Sequence, residues 1–247
     1  MKKIFYLLTI SALLMTGCKK DNPSKNDWVE IKGVKWATRN LAAHGKFVEK
    51  PEDYGALFQW GRKGDGHEQR TSPSYPTNNE SVENGMVSGS QNFDTHGQIV
   101  NAHDAYGKFI KQRNGPADWR SPQIDALWNS GSEDAPVKTI NDPCPAGWRV
   151  PTSTEFQSLS FSESSWGTLN GVKGRFWGNG EETLFLPAAG HRAFSNGSLY
   201  EVGTVGSYRV STINDPWTYP LCFDSCGTYS YAGLNRAEGF SIRCIAE

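Results

Sequence analysis

The chain has 247 residues, with 25 basic and 26 acidic side chains and a formal net charge of −1 at neutral pH. This near-neutral balance lacks the basic surface that nucleic-acid binding requires, so we expect no nucleic-acid partner. The 26 glycines, 13 prolines and nine tryptophans indicate a compact, loop-rich domain. Its core should depend on aromatic side chains, each of which buries a large area.

Residues 1–17 have the pattern of an export signal. Two lysines precede an apolar run from Ile4 to Met15, which is shorter than the roughly 20 residues that a bilayer crossing needs. After this run the small residue Gly17 directly precedes Cys18, which resembles a bacterial lipoprotein signal. We expect Cys18 to be lipidated and to become the first mature residue. The alternative is an ordinary secretory signal that leaves Cys18 as a free thiol.

Residues 18–27 are polar and interrupted by proline, which is typical of a short tether. Because two or more acyl chains anchor a protein stably, the mature chain should be attached to a membrane without crossing it. We expect the bacterial outer membrane, with the domain facing the cell surface rather than the periplasm.

In the first part of the domain, the sequence predicts four elements. Alternating apolar residues predict a two-stranded hairpin at 28–41, and an aromatic strand followed by a glycine-rich turn is predicted at 54–66. Residues 67–98 are polar with few apolar positions, which predicts a long surface loop. A short helix is predicted at 102–112, where apolar residues fall on one helical face.

The segment 142–152, DPCPAGWRVPT, predicts the entry to a helix. Its prolines cannot donate to a sheet, and Thr152 and Glu155 match a capping box that begins a helix at this point. Phe156 and Leu159 would form the buried face of that helix. The chain then becomes strand-like at 174–178, 183–192, 199–212, 220–224 and 239–247.

Without Cys18, four cysteines remain, namely Cys144, Cys222, Cys226 and Cys244. An even number in an exported chain predicts two disulfides, for which three connectivities exist. We favour Cys144 with Cys244 and Cys222 with Cys226, since the second pair can close locally. A metal site at Cys222 and Cys226 is the alternative, but no histidine or second cysteine pair lies at zinc-like spacing.

Several motifs agree in order with one family. GVKWATRNL, YGALFQWG, DPCPAGWRVPTSTEF, FLPAAGHR, GSYRVST and GFSIRCIAE together resemble the Fibrobacter succinogenes major paralogous domain family, which is common in bacterial lipoproteins. The resemblance covers residues 28–247, with a loop insertion at about 63–140. The most specific part of this resemblance is the CPAGWRVPT core of the third motif.

The resemblance implies an α+β, C-type lectin-like fold. Such a fold has small mixed or antiparallel sheets, one or two flanking helices and long irregular loops. It also implies a disulfide from the helical region to the last strand, which agrees with Cys144 and Cys244. The fold is shared with formylglycine-generating enzymes, whose active-site cysteine motifs are missing here, and fold analogy alone assigns no activity.

Motifs for nucleophilic, phosphate-binding, dinucleotide-binding or zinc-protease chemistry are missing from the sequence. His96 and His103 lie near Asp94 and Asp104, but their spacing fits no helical metal pair, and solvated loop histidines are the expected interpretation. His191 is expected to be packed or hydrogen-bonded rather than a base. Since the carboxylate and amide loops of calcium-dependent lectins are not visible either, we expect no obligatory metal and no cofactor.

The stretch 212–235 interleaves aromatic residues with small polar ones, as binding surfaces do. The alternative is that these aromatic rings pack the core of a β-domain. Residues 214–217 only faintly resemble the calcium-binding loops of lectins, and we expect them to form a turn. The candidate ligand-binding residues are Asn214, Asp215, Trp217, Tyr219, Tyr229 and Tyr231.

These observations predict a non-enzymatic binding or adhesion module on a cell-envelope lipoprotein. Its partners would be a glycan or a surface protein, and a membrane through the lipid anchor. A structural or assembly subunit of the envelope or of fimbriae is the first alternative, and an enzyme of unknown reaction is the second.

Overall fold

The computed structural model describes residues 27–77, 85–180, 182–230 and 233–247. Residues 1–17, Cys18 and most of the predicted tether lie outside these ranges. The described elements are short strands, a single-turn α-helix and two 3-10 turns, so the fold is β-rich and has almost no helix.

In chain order the strands are β1 (Trp28–Ile31), β2 (Val34–Ala37), β3 (Leu41–Ala43), β4 (Lys46–Phe47), β5 (Phe58–Gln59), β6 (Ser74–Tyr75), β7 (Val87–Ser88), β8 (Phe109–Ile110), β9 (Arg120–Ser121), β10 (Trp148–Arg149), β11 (Ser164–Leu169), β12 (Val172–Asn179), β13 (Glu182–Pro187), β14 (His191–Arg192), β15 (Leu199–Tyr200), β16 (Gly206–Tyr208), β17 (Ile213–Asn214), β18 (Trp217–Thr218), β19 (Leu221–Phe223), β20 (Thr228–Ser230), β21 (Gly239–Phe240) and β22 (Ile245–Ala246). Helix α1 is Ser153–Phe156, and the 3-10 turns are Ser90–Asn92 and Phe161–Glu163.

The strands form small sheets, most of them antiparallel. The larger sheets have the orders β1-β2-β22-β10, β11-β12-β13, β15-β14-β21-β5 and β16-β19-β20, and the remaining strands form two-stranded pairs. The pairs β6–β8 and β7–β9 are parallel. The expectation of small mixed or antiparallel sheets is therefore confirmed.

The predicted hairpin at 28–41 is confirmed as β1 and β2. Strand β22 lies between β2 and β10, with Trp36 opposite Ile245. A disulfide joins Cys144 to Cys244, which confirms that predicted pair. It fastens the segment before β10 to the residue before β22, so the middle of the chain and the last strand share one sheet.

The predicted helix start at Thr152 is confirmed. The Thr152 backbone N–H donates to Glu155 Oε2 at 2.8 Å, and the Glu155 N–H donates to Thr152 Oγ1 at 3.4 Å, which completes the capping box. Phe156 and Leu159 are buried, and Phe156 packs on Trp36 with ring centroids 4.9 Å apart. The helix itself lasts one turn only.

The prediction of a helix at 102–112 is wrong. Gly107 adopts a φ of 70°, in the left-handed region that a right-handed helix cannot contain. The segment forms turns and then β8, which pairs with β6. Of the residues predicted to form the buried face, Phe109 and Ile110 are buried, in a strand, whereas Ala102 and Tyr106 are exposed.

The prediction of a surface loop at 67–98 is only partly correct. His67, Glu68 and Val87 are buried, and β6 and β7 lie within the described part of this segment. Residues 78–84 lie outside the described ranges. Polar residues here are buried because they hydrogen-bond to one another and to the backbone, which composition alone does not reveal.

Aromatic side chains dominate the interior, as composition predicts. Two clusters of buried residues contain most of the core, one around Trp60, Trp119 and Trp128, the other around Trp36 and Trp177. Each large ring fills space that short strands leave between them.

Buried arginines supply the hydrogen bonds that short strands cannot. Arg243 donates to the carbonyl oxygens of Ala37 at 3.0 Å and Phe185 at 3.1 Å, and to Asn40 Oδ1 at 2.9 Å. The fully buried arginines are Arg62, Arg175, Arg209, Arg236 and Arg243. Their guanidinium groups donate to backbone carbonyl oxygens, both in strands and in the segments between them.

Within the described part of the chain, none of the helices has the length and apolar composition that crossing a membrane requires.

Candidate functional site

The structure separates the predicted ligand-binding residues into two groups. Asn214 and Trp217 face each other in the β17–β18 hairpin, and Asp215 lies in its turn. Tyr219 and Tyr229 line a cavity elsewhere. Tyr231 lies outside the described residues.

Trp217 is half-buried and packs against backbone. A Cβ added to Gly115 or to Gly233 would lie 3.5 Å from its ring, so the ring is covered by glycine segments. Asp215 is exposed, and its Oδ1 is 3.9 Å from Arg236 Nη2. Residues 214–217 therefore form the turn that was expected in place of a calcium-binding loop, and the Trp217 ring packs on two glycine segments.

Tyr219 and Tyr229 come together in a cavity of about 320 Å³ between helix α1 and the β19–β20 hairpin. We call it the Tyr219 cavity, lined by both tyrosines, Phe156, Gln157, Ser160 and Thr228 among others. Both tyrosine rings are half-buried, and Gln157 is exposed. Aromatic walls with a few polar groups are typical of small-molecule sites, whose volumes start at roughly 300 Å³.

A second cavity, of about 340 Å³, shares Tyr229 as a wall. We call it the Glu238 cavity, lined by His191, Glu201, Ser207, Cys222, Asp224, Tyr229, Glu238 and Phe240 among others. Strands β14, β16, β19, β20 and β21 each contribute one lining residue or more. Residues far apart in sequence therefore form a single polar chamber beside the aromatic one.

His191 is both packed and hydrogen-bonded. Its ring stacks on Tyr200 with centroids 5.7 Å apart, and Nδ1 lies 3.4 Å from Glu201 Oε2. Burial lowers the pKa of His191 below its usual value, although Glu201 opposes the shift. The imidazole is therefore neutral near neutral pH, and a neutral ring that donates Nδ1–H to Glu201 keeps Nε2 as an acceptor.

Cys222 is a buried thiol. Its Sγ lies 3.7 Å from Ser207 Oγ, and burial raises the pKa of Cys222 to about 11 against the opposing effects of Ser207 and Arg209. The thiolate is the reactive form of cysteine, so this group is not a nucleophile near neutral pH.

The predicted Cys222–Cys226 disulfide is wrong, because both cysteines are free in the structure. Cys222 lies in β19 opposite Tyr229 with its thiol directed at Ser207. Cys226 is exposed in the following turn, where Asp224 Oδ1 accepts from its backbone N–H at 2.6 Å. The turn geometry holds one sulfur outside and the strand holds the other inside.

Glu238 has the most unusual environment of the cavity. It is 9% exposed, and its Oε2 accepts from the backbone N–H of Phe194 at 3.0 Å. Burial raises the pKa of Glu238 to about 7, although Arg209 and the Phe194 N–H lower it. The carboxyl group therefore exchanges its proton near neutral pH.

Asp224 positions the Tyr229 hydroxyl. Partial burial opposes ionisation of Asp224, but hydrogen bonds from Tyr229 and from the N–H groups of Cys226 and Gly227 hold its pKa below the usual value. Asp224 is thus ionised near neutral pH, and it fixes the ring that separates the two cavities.

Asp65, His67 and Glu68 place one ligand atom each within 4.8 Å of one another. His67 Nε2 accepts from the Gln59 N–H at 3.2 Å, and Nδ1 lies 2.6 Å from Asp65 Oδ1. Arg62 Nη2 pairs with Asp65 Oδ2 at 2.5 Å. Both imidazole nitrogens and the Asp65 carboxylate are therefore used within the protein, which explains the cluster as a structural network.

The histidines of the polar insertion are not brought together among the described residues. Asp94 Oδ1 accepts from the His96 N–H at 2.8 Å, and His103 Nδ1 accepts from the Ala105 N–H at 3.1 Å. Each of these contacts stabilises the turn in which it lies.

A larger cleft, of about 680 Å³, lies elsewhere, between the β1–β2 turn and β12–β13. Lys32 and Glu163 form an ion pair of 2.6 Å along it, and both side chains are about half exposed. Glu30, Asn179 and Glu182 are exposed as well. Because its polar groups are solvated, we regard the smaller cavities around Tyr229 as the better candidate site.

Sequence reasoning missed Glu201, Ser207 and Glu238, and no local pattern marks them. His191 and Cys222 were noticed, but separately, because only the β14, β16 and β19 pairings bring them to one chamber. A comparison of the chain with protein-family models, with curated proteins and with solved structures found no match.

Proposed function

We propose that this protein is a non-enzymatic binding module of the bacterial cell envelope, anchored by a lipid at Cys18, that holds a glycan on its C-terminal aromatic residues. The observation that carries this proposal is the meeting of Tyr219 and Tyr229 in one open cavity. Both rings are half-buried, so each is fixed by packing and still presents an edge or a face to a ligand.

The polar groups of the Tyr219 cavity suit a hydroxylated ligand. Gln157, Ser160 and Thr228 supply amide and hydroxyl groups beside the rings. Sugars combine apolar C–H faces, which pack on aromatic rings, with hydroxyl groups that need such partners. A glycan therefore fits this lining better than a purely apolar ligand does.

The proposal includes membership of the Fibrobacter succinogenes major paralogous domain family and a C-type lectin-like fold. Two features support it. The disulfide from Cys144 to Cys244 joins the helix entry to the last strand, as the family resemblance implies. The small sheets and long irregular segments are also compatible with that architecture.

The environment of the buried groups supports a binding role over catalysis. Cys222 remains protonated near neutral pH, and His191 is paired with Glu201 rather than with a nucleophile. Covalent catalysis through Cys222 would need an activated thiolate next to a base, and these two groups do not provide that pair.

A glycan array probed with the full chain tests the proposal. Tyr219→Ala and Tyr229→Ala should each weaken binding by about tenfold or more, since aromatic contacts dominate such sites. Tyr106→Ala is the matched control, because Tyr106 is 42% exposed and does not line the cavity. If no glycan binds and envelope proteins co-purify with the chain instead, an assembly role replaces this proposal.

A further inference from the structure

The Glu238 cavity carries an excess of negative charge. Glu201, Asp224 and Glu238 line it, and no lysine or arginine does among the described residues. Arg209 is the cation whose charge acts on Glu238, and it lies behind the wall. His191 is neutral near neutral pH because of its burial, so it does not compensate the carboxylates.

Arg209 is also committed to other partners. Its Nη1 donates to Thr218 Oγ1 at 2.7 Å, and its Nη2 donates to the carbonyl oxygens of Asn235 at 3.0 Å and Glu238. Among the described residues it makes no ion pair with the Glu238 carboxylate. The nearest cation therefore fixes the backbone and leaves the carboxylate without a counter-ion.

Glu238 has one carboxylate oxygen without a donor. Oε2 accepts from the Phe194 N–H, and within the described ranges no group donates to Oε1. The side chain is nine-tenths buried and lines the cavity. Oε1 is not shielded from solvent, so it faces the open cavity and is available to a ligand that supplies an N–H group.

We propose that the Glu238 cavity binds the protonated amino group of an amino sugar whose ring lies against Tyr229. This inference rests on the proposed glycan-binding function and specifies the class of glycan. Tyr229 is the wall shared by the two cavities, so a sugar ring in the Tyr219 cavity can extend its substituent toward Glu238.

An ammonium group matches the acceptors that the cavity offers. It carries three N–H donors and no acceptor. Glu238 Oε1, the Glu201 carboxylate and the acceptor nitrogen of His191 are three groups that accept such bonds. An anionic sugar would instead meet three carboxyl groups, and an acetylated amine would bring an uncharged amide that neutralises none of them.

Calorimetric titration of the full chain in detergent, near neutral pH, tests this inference. The probes are a chitosan oligosaccharide, which has free amino groups, and the fully N-acetylated oligosaccharide of the same length. The unacetylated probe should bind about tenfold tighter or more, because charge-assisted hydrogen bonds are the stronger ones. The preference should decrease as salt is added.

Glu238→Gln should reduce that preference by about tenfold, and Glu201→Gln should reduce it several-fold. Glu201 is half exposed, so its variant tests the inference even if Glu238→Gln unfolds the protein. Glu49→Gln is the matched control, since Glu49 is exposed and does not line the cavity.

Two results would overturn the inference. One is equal or absent binding of the unacetylated probe, and the other is an amine preference that survives both glutamine variants. The proposed function is tested separately. If a neutral glycan binds, and its binding depends on Tyr219 but not on Glu238, the binding role stands and only the amino-sugar specificity is lost.

Discussion

The guanidinium of Arg209 donates to the main-chain oxygen of Glu238, whereas the Glu238 carboxylate accepts from the backbone N–H of Phe194 at 3.0 Å. The two side chains are thus close enough for the charge of Arg209 to lower the pKa of Glu238, but they do not form an ion pair. Burial dominates, and the carboxyl group holds its proton in the folded state up to about pH 7.

Glu238 should therefore make the protein less stable as the pH rises. Its pKa is about 7 in the folded state against an ordinary value of 4.5, so between these two values the folded state binds more protons than the unfolded state. The free energy of unfolding should fall through this window, by up to about 3 kcal/mol from this group.

Glu238→Gln cannot ionise and should lack this contribution to the fall. Urea unfolding of both proteins at about pH 5 and about pH 8 measures it, and the variant should gain stability relative to the parent at the higher pH. Burial raises the pKa of Asp118 to about 6, so Asp118 adds a similar loss of stability with rising pH to both proteins. Only the difference in stability between the two proteins is therefore diagnostic. Parallel pH profiles would contradict the prediction.

The two free cysteines should differ sharply in reactivity. Cys226 is exposed, while Cys222 is buried and burial raises its pKa to about 11. Iodoacetamide should modify Cys226 in the native protein and Cys222 only after unfolding.

Peptide mass spectrometry without reductant reads out both sites. It should also recover a cross-linked peptide pair that contains Cys144 and Cys244. Equal alkylation rates in the native state, or a Cys222–Cys226 cross-link in the purified protein, would show that the described arrangement of the β19–β20 hairpin is not the one present in solution.

Gly190→Ala should disrupt the wall that carries His191. Gly190 has a φ of 66°, and a Cβ there would lie 2.2 Å from the carbonyl oxygen of Tyr200. Strands β14 and β15 would have to separate, so the variant should lose about 2–4 kcal/mol of stability and move His191 away from Glu201.

Gly171→Ala is the matched control for this change. Gly171 has a φ of 84° with nothing within 4 Å of an added Cβ, so it suffers the left-handed strain alone, about 1–2 kcal/mol. In thermal unfolding, the Tm of Gly190→Ala should be well below the Tm of Gly171→Ala. The same loss for both variants would show that the contact with Tyr200 is unimportant.

Cys18 should carry the lipid. Cells grown with labelled palmitate should incorporate the label into the parent chain, which should fractionate with the outer membrane, and Cys18→Ser should lose both the label and the membrane attachment. Surface protease treatment of intact cells then tells whether the domain faces outward. A Cys18→Ser chain that stays in the membrane would contradict the anchor.

Local sequence signals predicted the local structure well. The hairpin of β1 and β2 follows from alternation over four residues on each side of a glycine turn, and the helix start at Thr152 follows from a capping box within four residues. In both cases the interacting groups are neighbours in sequence. The same holds for the turn at 214–217, which was expected there in place of a calcium-binding loop.

The candidate site depends on pairings that no local pattern contains. His191 and Ser207 reach the Glu238 cavity on β14 and β16, and Cys222 reaches it on β19, each through the register of its own sheet. The failed helix at 102–112 has a related cause, because Gly107 and the β6–β8 pairing outweigh a weak helical pattern. Tertiary contacts determine the secondary structure of such short segments.

The position of β22 between β2 and β10 has a consequence for biogenesis. Ala37 and Arg243, which hydrogen-bond across this sheet, are separated by 206 residues. A ribosome releases the first hairpin long before its neighbour exists, so one edge of β2 stays open throughout synthesis. An open strand edge invites association with other chains, so the chain is exposed to such association until its last strand has been made and has paired with β2.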